Sequence, residues 1–500
     1  MTKPLSPSRS TAEILLTLLE TAAPAATLAA RLQQAVRRLV LDGHASGGAR
    51  LPSSRALARQ ARIARETVDT AYHQLELEGF VVRRHGSGTF VAPRDAVLAG
   101  SDRRACASSR GIAGLSERGL SLTAGGGVID RGRPVPFTLL PDVEAFPLQI
   151  WQRIAARAAR GRSRAELLYA EAQGYLPLRE EIAHYLAASR GIAASPGQIL
   201  VLSSSQQALG LIAKLVASAG DQIAIEDPGY HGAQMAFRGA GTTLLPISVD
   251  QDGLVVERLV KAEGQVRAVY VTPSNQYPLG VTMSLDRRLA LLDWSERSGS
   301  WIIEDDYDSE FRYDGRPIAA LQSLNAGGNV LYVGTMTKVL FPGLRIAYLV
   351  VPEPLVSAFV AGRSLIDGSA AKFNQVVLAE FMREGHFTAH TRRMRQIYQA
   401  RRDLFIAAFE RHLGDFATCN APRAGLHVTA QLKRAYDEAE TLAVADHAGL
   451  ALRGLDRLTL GPSSARGWLM GFASRPPQDM ENALRHLASA LREGSEAPPI

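Results

Sequence analysis

Lys338 is the residue most open to covalent chemistry. It stands in VGTMTKVLFPGLRIAYLVVP, residues 333–352, between an apolar run and an irregular Gly/Pro turn, with Arg345 and a second apolar run following. Lysines normally face solvent, so one set between two buried segments needs a reason, and a Schiff base to an aldehyde cofactor is one. Thr335 and Thr337 bring hydroxyls beside it, and Arg345 can pair with a phosphate. On these residues alone, an ordinary loop lysine is the alternative. A second stretch, WIIEDDYDSEFRY (301–313), runs an apolar strand into acidic residues and Tyr307. Ligands of open α/β sheets sit beyond the carboxyl ends of strands. A pyridoxal ring needs a carboxylate there, which keeps its nitrogen protonated and the ring able to accept electron density. Asp305 is assigned that role, with Asp306 as the fallback, and Tyr307 is assigned to the ring's phenolic oxygen. A helix N-cap or an exposed loop would use the same acidic cluster.

Three softer stretches belong with these two. ILVLSSSQQALGLIAKLV (199–216) passes from a strand through a small-residue turn into a helix. Such a turn presents helix N-terminal N–H groups to an anion, and Ser204, Ser205 and Gln206 are the expected phosphate cradle. IAIEDPGYHG sets Tyr230 after a strand and a Pro-Gly turn, where its ring can stack on a cofactor. VYVTPSNQYPLG (269–280) is another strand entering a Pro/Gly loop. Ser-rich strand–helix turns are common, so these stretches gain weight only from their order in one chain: phosphate turn, aromatic, Pro/Gly loop, acidic strand end, lysine, arginine.

The elements that must position these residues are legible in outline. From about Pro136 onward, helical and apolar-strand segments alternate for more than 300 residues, which predicts an α/β layered domain over residues 136–500 with a mostly parallel sheet. Residues 94–135 are rich in Gly, Ala, Ser and Arg and read as a flexible linker. Residues 1–93 form a separate patterned module. Its first predicted helix spans 26–41, with Leu28, Leu32, Val36 and Leu41 near one face. LPSSRALARQ starts a second, capped by Ser53 or Ser54. A turn at 62–64 leads to a third, RETVDTAYHQLELEGF, whose buried side is predicted as Val68, Ala71, Tyr72, Leu75 and Leu77, with Gly79 closing it. Two short β runs, FVVRR and GTFVA, follow around the tip HGSG, a hairpin signal.

Helix, helix, turn, helix and hairpin is the order of a winged helix-turn-helix, whose last helix enters the DNA major groove. Arg65 and Thr67 lie at that helix's N-terminus, and Arg55 opens the preceding helix within reach of a phosphate. The wing tip offers Arg83, Arg84, His85 and Gly86 to the duplex. A three-helix packing module with a solvated basic hairpin is the bland alternative. Charge favours the DNA reading. Residues 1–95 carry 13 Lys/Arg against 8 Asp/Glu, and residues 96–135 carry 6 against 3, while residues 136–500 carry 37 against 38. The net +7 therefore lies in the first quarter of the chain. Cys106 and Cys419 stand far apart, which argues against a disulfide framework or a cysteine metal site, and no metal is expected. No apolar run is long enough to span a membrane, and MTKPLSPSRS lacks the layout of a signal peptide, so a cytoplasmic protein is expected.

The module spelled by LPSSRALARQ and RETVDTAYHQLELEGFVVRRHGSGTFV closely resembles the DNA-binding domain of the GntR family of bacterial regulators over residues 25–92. The resemblance implies DNA contacts at Arg55, Arg65, Thr67, His85 and Gly86. Ala64 departs from it, because the family usually has Ser or Thr capping the recognition helix there. The order and spacing of the motifs over roughly 140–490 resemble the fold-type I pyridoxal phosphate aminotransferases. The pairing of head and body, with EDDYDSEFRY and GTMTKVLFPGLRIAY, is similar to the MocR subfamily of GntR-family regulators. The expected fold is thus an α+β winged helix-turn-helix N-terminal domain plus a large α/β fold-type I aminotransferase-like domain.

What the resemblance implies is pyridoxal 5'-phosphate on Lys338, with Asp305 on its ring nitrogen and Tyr307 on its phenolic oxygen. Ser204, Ser205, Gln206, Thr335 and Arg345 would hold the phosphate. Tyr169, in LLYAEAQGYLPLR, matches a tyrosine that reaches a neighbouring subunit's phosphate, so a homodimer is expected. Several positions depart from the pattern. The subfamily's GABA-responsive member holds its ligand's carboxylate with two arginines, where this chain has Gly232 and Ser474, with Arg475 one place late. Asn275 replaces a common histidine, and Tyr277 stands where working aminotransferases usually place an asparagine. The expected function is a DNA-operator-binding regulator that senses an amino compound, or pyridoxal phosphate itself, without efficient amino transfer. The rival is an active aminotransferase carrying a fused DNA-binding head.

Overall fold

The computed structural model describes residues 10–21, 27–93, 114–124, 136–160, 169–262, 266–315, 318–325, 328–419, 421–461 and 466–496. Backbone proximity divides the chain into two units, Met1–Gly114 and Leu115–Ile500, and each is described by itself.

Among its described residues the first unit holds four helices, α1 (Thr11–Glu20), α2 (Leu28–Leu41), α3 (Ser54–Ala61) and α4 (Arg65–Leu77), and a hairpin of β1 (Val81–Arg84) and β2 (Gly88–Val91). Helix α1 is not among the helices expected from the sequence. Its start is a capping box in which Ser10 and Glu13 satisfy each other's backbone N–H groups. Leu15 and Leu19 of α1 join Leu32, Val36, Leu57, Val68, Tyr72 and Leu75 in one core. Two predicted faces are corrected. Leu28 and Leu41 are largely exposed, and α2 buries Leu32, Ala35, Val36, Leu39 and Val40 instead. Leu77, 70% exposed, lies two residues past Leu75 and so falls off the apolar stripe of α4. Ser53 is the cap of α3, and Arg62 makes the turn in a left-handed conformation (φ 54°). The Ser54 hydroxyl donates to the Asp69 carboxylate at 2.6 Å, tying α3 to α4.

The second unit is built on an eight-stranded sheet of order β3-β10-β9-β8-β7-β4-β5-β6. The strands are β3 (Ile199–Leu202), β4 (Gln222–Asp227), β5 (Thr243–Asp250), β6 (Gly253–Leu254), β7 (Val266–Val271), β8 (Trp301–Asp306), β9 (Val330–Thr335) and β10 (Ala347–Val350). The five strands β5, β4, β7, β8 and β9 run parallel, while β10 is antiparallel to both its neighbours and β6 to β5. Strands β3, β9 and β10 are buried throughout, as a sheet covered on both faces requires. Its apolar side chains pack in separate clusters, with Ile303, Leu331 and Leu349 in one and Ile302, Val269 and Val330 in another. A second, antiparallel sheet of order β11-β12-β14-β13 comprises Ala417–Cys419, His427–Leu432, Gly467–Gly471 and Arg453–Gly454. Most of the linker stretch lies outside the described residues. Within it, Glu117–Ala124 is helical, which the Gly/Ser-rich composition did not foretell. Among the described residues no helix is long and apolar enough to cross a membrane.

Candidate functional site

The C-terminal ends of the parallel strands β7, β8 and β9 open into a cavity of about 380 Å³. Ser204, Ser205, Gln206, Tyr230, Asp305, Tyr307, Thr335, Thr337, Lys338 and Arg345 all line it, so ten of the eleven residues singled out for cofactor binding meet in one place. Tyr169 does not. It lies at the surface, 102% exposed, outside its own chain's cavity.

Each group reaches the cavity for a local reason. Side chains alternate along a strand, and at the end of β8 this separates two neighbouring carboxylates. Asp306 is taken by the Arg190 guanidinium at 2.7 Å and the Tyr332 hydroxyl at 2.5 Å, away from the cavity. Asp305 faces the cavity and accepts one hydrogen bond on Oδ2, from the Tyr270 hydroxyl at 2.8 Å. Its Oδ1 is buried with no hydrogen-bond partner among the described residues. Burial pushes the Asp305 carboxyl up to about 7, partly offset by the Tyr270 hydrogen bond. Asp305, and not the fallback Asp306, thus lines the cavity.

Lys338 follows β9 after the turn residue Thr337, whose N–H donates to the Thr335 hydroxyl at 3.2 Å. Its Nζ donates to the Leu139 carbonyl at 2.7 Å. Burial lowers the amine to about 8, opposed by the charge of Asp308. A lysine so lowered is a better nucleophile near neutrality. Tyr307 accepts a hydrogen bond from Asn275 Nδ2 at 3.1 Å, and the same amide reaches both Asp308 oxygens at 3.0 Å. Gly425 (φ 87°) passes so close to Asn275 and Asp308 that a Cβ would collide with both. Asn275, one of the departures from the family pattern, is therefore structurally engaged with Tyr307.

At the other end, the helix Ser205–Val216 begins at the N-cap Ser204, whose hydroxyl accepts from the Gln207 N–H at 3.1 Å. The first N–H groups of a helix have no intrahelical partner and carry the positive end of its dipole. Ser205 and Gln206 thus present an anion seat. The Gln206 side-chain amide donates instead to the Gly232 carbonyl at 2.8 Å. The Tyr230 ring lies across Gly232 so closely that no Cβ fits there, which accounts for glycine at a position where a relative carries arginine. The further cavity residues that sequence reasoning missed include Tyr270, which holds Asp305, His427 at the start of β12, and Arg453 on β13. His427 stacks near Tyr307 (centroids 6.4 Å apart), and burial with the neighbouring Lys338 charge lowers it to about 4. No local motif announces His427 or Arg453, because the second sheet brings them in from far along the chain.

These residues fit pyridoxal 5'-phosphate, and the unpartnered Asp305 Oδ1 is the observation that decides it. A buried acceptor left bare is costly, and a protonated ring nitrogen is the donor it lacks. Lys338 would supply the amine for the aldehyde, and the Ser204–Gln206 turn with Arg345, lining the same cavity, would seat the phosphate.

In the first unit, Arg55 on α3, Arg65 on α4 and the tip residues Arg84, His85 and Gly86 are exposed, and Thr67 is half-buried. Arg83 differs from its tip neighbours. Its guanidinium donates to the Asp69 carbonyl at 2.8 Å and is drawn toward α4. Arg65 lies 3.4 Å from Asp69 on its own helix. The N-cap of α4 is Ala64, with no side-chain cap.

Residues 143–487 match the family model of aminotransferase class I and II, and residues 28–91 match that of the bacterial regulatory proteins, gntR family. A solved structure of Pyrococcus horikoshii kynurenine aminotransferase with PMP superimposes with a TM-score of 0.68 at 26% identity, covering 80% of this chain and 99% of that one. A GntR-type DNA-binding head fused to an aminotransferase-class body defines a class of transcription regulator. The chain is 37% identical over 479 residues to the probable rhizopine catabolism regulatory protein MocR of Rhizobium meliloti, covering 94% of this chain and 95% of that one. It is 30% identical over 471 residues to the pyridoxine biosynthesis regulator PdxR of Corynebacterium glutamicum, covering 93% and 96%. The chain belongs to the MocR subfamily of GntR-family transcriptional regulators. It is a DNA-binding regulator whose body takes pyridoxal phosphate.

Proposed function

We propose that the body senses a small amino compound, or pyridoxal phosphate itself, and that occupancy changes how the heads engage an operator. The observation carrying this reading is the cavity in which the Lys338 amine and the bare Asp305 oxygen face the same space. When bound, pyridoxal phosphate supplies an aldehyde open to amines and a ring that accepts electron density. Lys338 supplies a nucleophilic amine held by the Leu139 carbonyl, and Asp305 holds a proton at the ring nitrogen. Tyr307, itself fixed by Asn275, donates to the phenolic oxygen, and Tyr230 covers the ring. The N–H groups at Ser205 and Gln206, with Thr335, Thr337 and Arg345, bind the phosphate. An effector alters DNA binding only by favouring one arrangement of the protein over another.

The heads read a double-stranded operator through Arg65 and Thr67 in the major groove, with Arg55, Arg84, His85 and Gly86 on backbone and wing contacts. Arg83 serves chiefly to hold the wing against α4. The protein acts as a cytoplasmic homodimer. The fully exposed Tyr169 supports this, because a partner's cavity gives its hydroxyl a use. Mass measurement in solution tests the dimer. The function is tested by recovering DNA fragments retained by the full-length protein with and without pyridoxal phosphate and candidate amines. A fragment set unchanged by any of them would refute sensing. Keto-acid production at ordinary enzyme rates would replace the sensor reading with a working aminotransferase.

A further inference from the structure

The cavity contains a positive charge outside the residues proposed for the cofactor. Besides Lys338, two strong cations line it, Arg345 and Arg453. Arg345 belongs to the phosphate seat. Arg453 enters from the second sheet, where β13 pairs with β14 through Arg453–Leu469 and Gly454–Trp468. Its backbone is pinned. The buried Glu438 carboxylate accepts from the Asp456 N–H at 2.9 Å and the Gly467 N–H at 2.7 Å, and it lies against Gly454 too closely for any Cβ. From that fixed strand Arg453 borders Tyr277, whose ring meets Tyr230 edge-on at 5.7 Å and Tyr307 at 5.9 Å.

Among the described residues no carboxylate lies within ion-pair distance of Arg453. Two like charges therefore face one cavity, and the Arg453 charge adds to the burial that lowers Lys338. An anion between them relieves both. Of the two positions where the resemblance implies a carboxylate-holding arginine, Gly232 is overlain by the Tyr230 ring and position 474 is a serine.

We propose that Arg453 is the specificity-determining residue for the effector, pairing with an oxyanion on a small amine whose amino end reaches toward Lys338. The proposal rests on the amine-sensing function. A cavity of about 380 Å³ that also seats the cofactor leaves room only for a compact ligand.

The test uses the full-length protein loaded with pyridoxal phosphate. β-Alanine, 4-aminobutyrate, 5-aminovalerate and taurine are titrated beside ethylamine, propylamine and butylamine, read by cofactor absorbance and by calorimetry. A charge-assisted pair of this kind predicts that at least one acid binds roughly tenfold or more tightly than the amine of matching length. Arg453→Gln is expected to erase that preference while leaving alkylamine affinity within about twofold, and Arg453→Lys to keep part of it. A preference unchanged in Arg453→Gln overturns the proposal. Should that variant lose the cofactor, Arg453→Lys decides, and wild-type discrimination in it counts against the arginine's geometry. If wild type binds amines without favouring acids, Arg453 has no such role, although sensing stands. If it binds neither kind, both readings fall.

Discussion

At Asp305 a buried carboxylate oxygen has no partner among the described residues. The carboxyl, held at about 7 by burial, keeps a proton in the folded chain that the unfolded chain releases near pH 4. Between those values the folded state binds more protons, so stability falls as pH rises through that window and stays reduced above it. Asp305→Asn removes the penalty. The cofactor-free variant is expected to melt above wild type at pH 8, with the gain shrinking toward pH 4, while losing at least about tenfold in pyridoxal phosphate affinity. Thermal unfolding at several pH values and cofactor titration measure the two effects, and a variant less stable than wild type at pH 8 would contradict the account. Lys338 has the opposite sign. Its amine is lowered to about 8, so over pH 8 to 10.5 the unfolded chain holds a proton the folded chain lacks, and stability rises with pH. The neutral amine is the reactive form. Uptake of pyridoxal phosphate by the cofactor-free protein should accelerate up to about pH 8 and then level off, as stopped-flow absorbance would register. Continued acceleration toward pH 10 would mean an unshifted lysine. The types at both positions were readable from the chain, but the bare Oδ1 and the Leu139 carbonyl on Nζ were not, because both depend on residues distant in sequence.

Elements differed in how plainly the chain announced them. β3 and β10 are short apolar runs, β8 and β9 open on apolar runs, and all four were recognisable, as were α3 from its serine cap and α4 from its apolar period and the Gly79 stop. Helix α1 was missed because TAEILLTLLE is apolar around most of its circumference, with Ile14, Leu16 and Leu18 also partly buried, which blurs the 3.6-residue period. Its Ser10–Glu13 capping box was the available signal. The two-residue strands β6 and β13 have no sequence signature, since pairing with a neighbour defines them. Helix α4 stands out by its cap. Ser10, Thr27 and Ser53 each accept a backbone N–H at the starts of α1, α2 and α3, whereas Ala64 leaves the recognition helix uncapped. Ala64→Ser should stabilise the head by about 1 kcal/mol. Slower amide exchange in α4 of the full-length protein would show it, and unchanged exchange would mean the helix start is satisfied some other way.

For the whole chain, the division of charge assigns the two activities to different units. The excess of Lys/Arg over Asp/Glu lies before residue 136, and the body is close to neutral. DNA binding is therefore expected to weaken steeply with salt, whereas cofactor binding in the body should change little. Arg55→Ala, at a proposed phosphate contact, should reduce the slope of log affinity against log salt by about 1 on a selected operator fragment and leave the cofactor absorbance unaltered. An unchanged slope would remove Arg55 from the interface.

The chain by itself determined the two-part architecture, the DNA-binding head, the cofactor and most of the polar residues that meet in the cavity. Those features are local: a cap, a turn, a strand ending in carboxylates and a lysine after an apolar run each have a chemistry readable within a short stretch of chain. Only the tertiary structure decided which of two adjacent aspartates meets the cavity, because the pairing of β8 with β7 and β9 turns Asp306 toward Arg190 and Asp305 toward Tyr270. Only it brought His427 and Arg453 to the same space, since packing of the second sheet beside the first joins segments far apart in the chain.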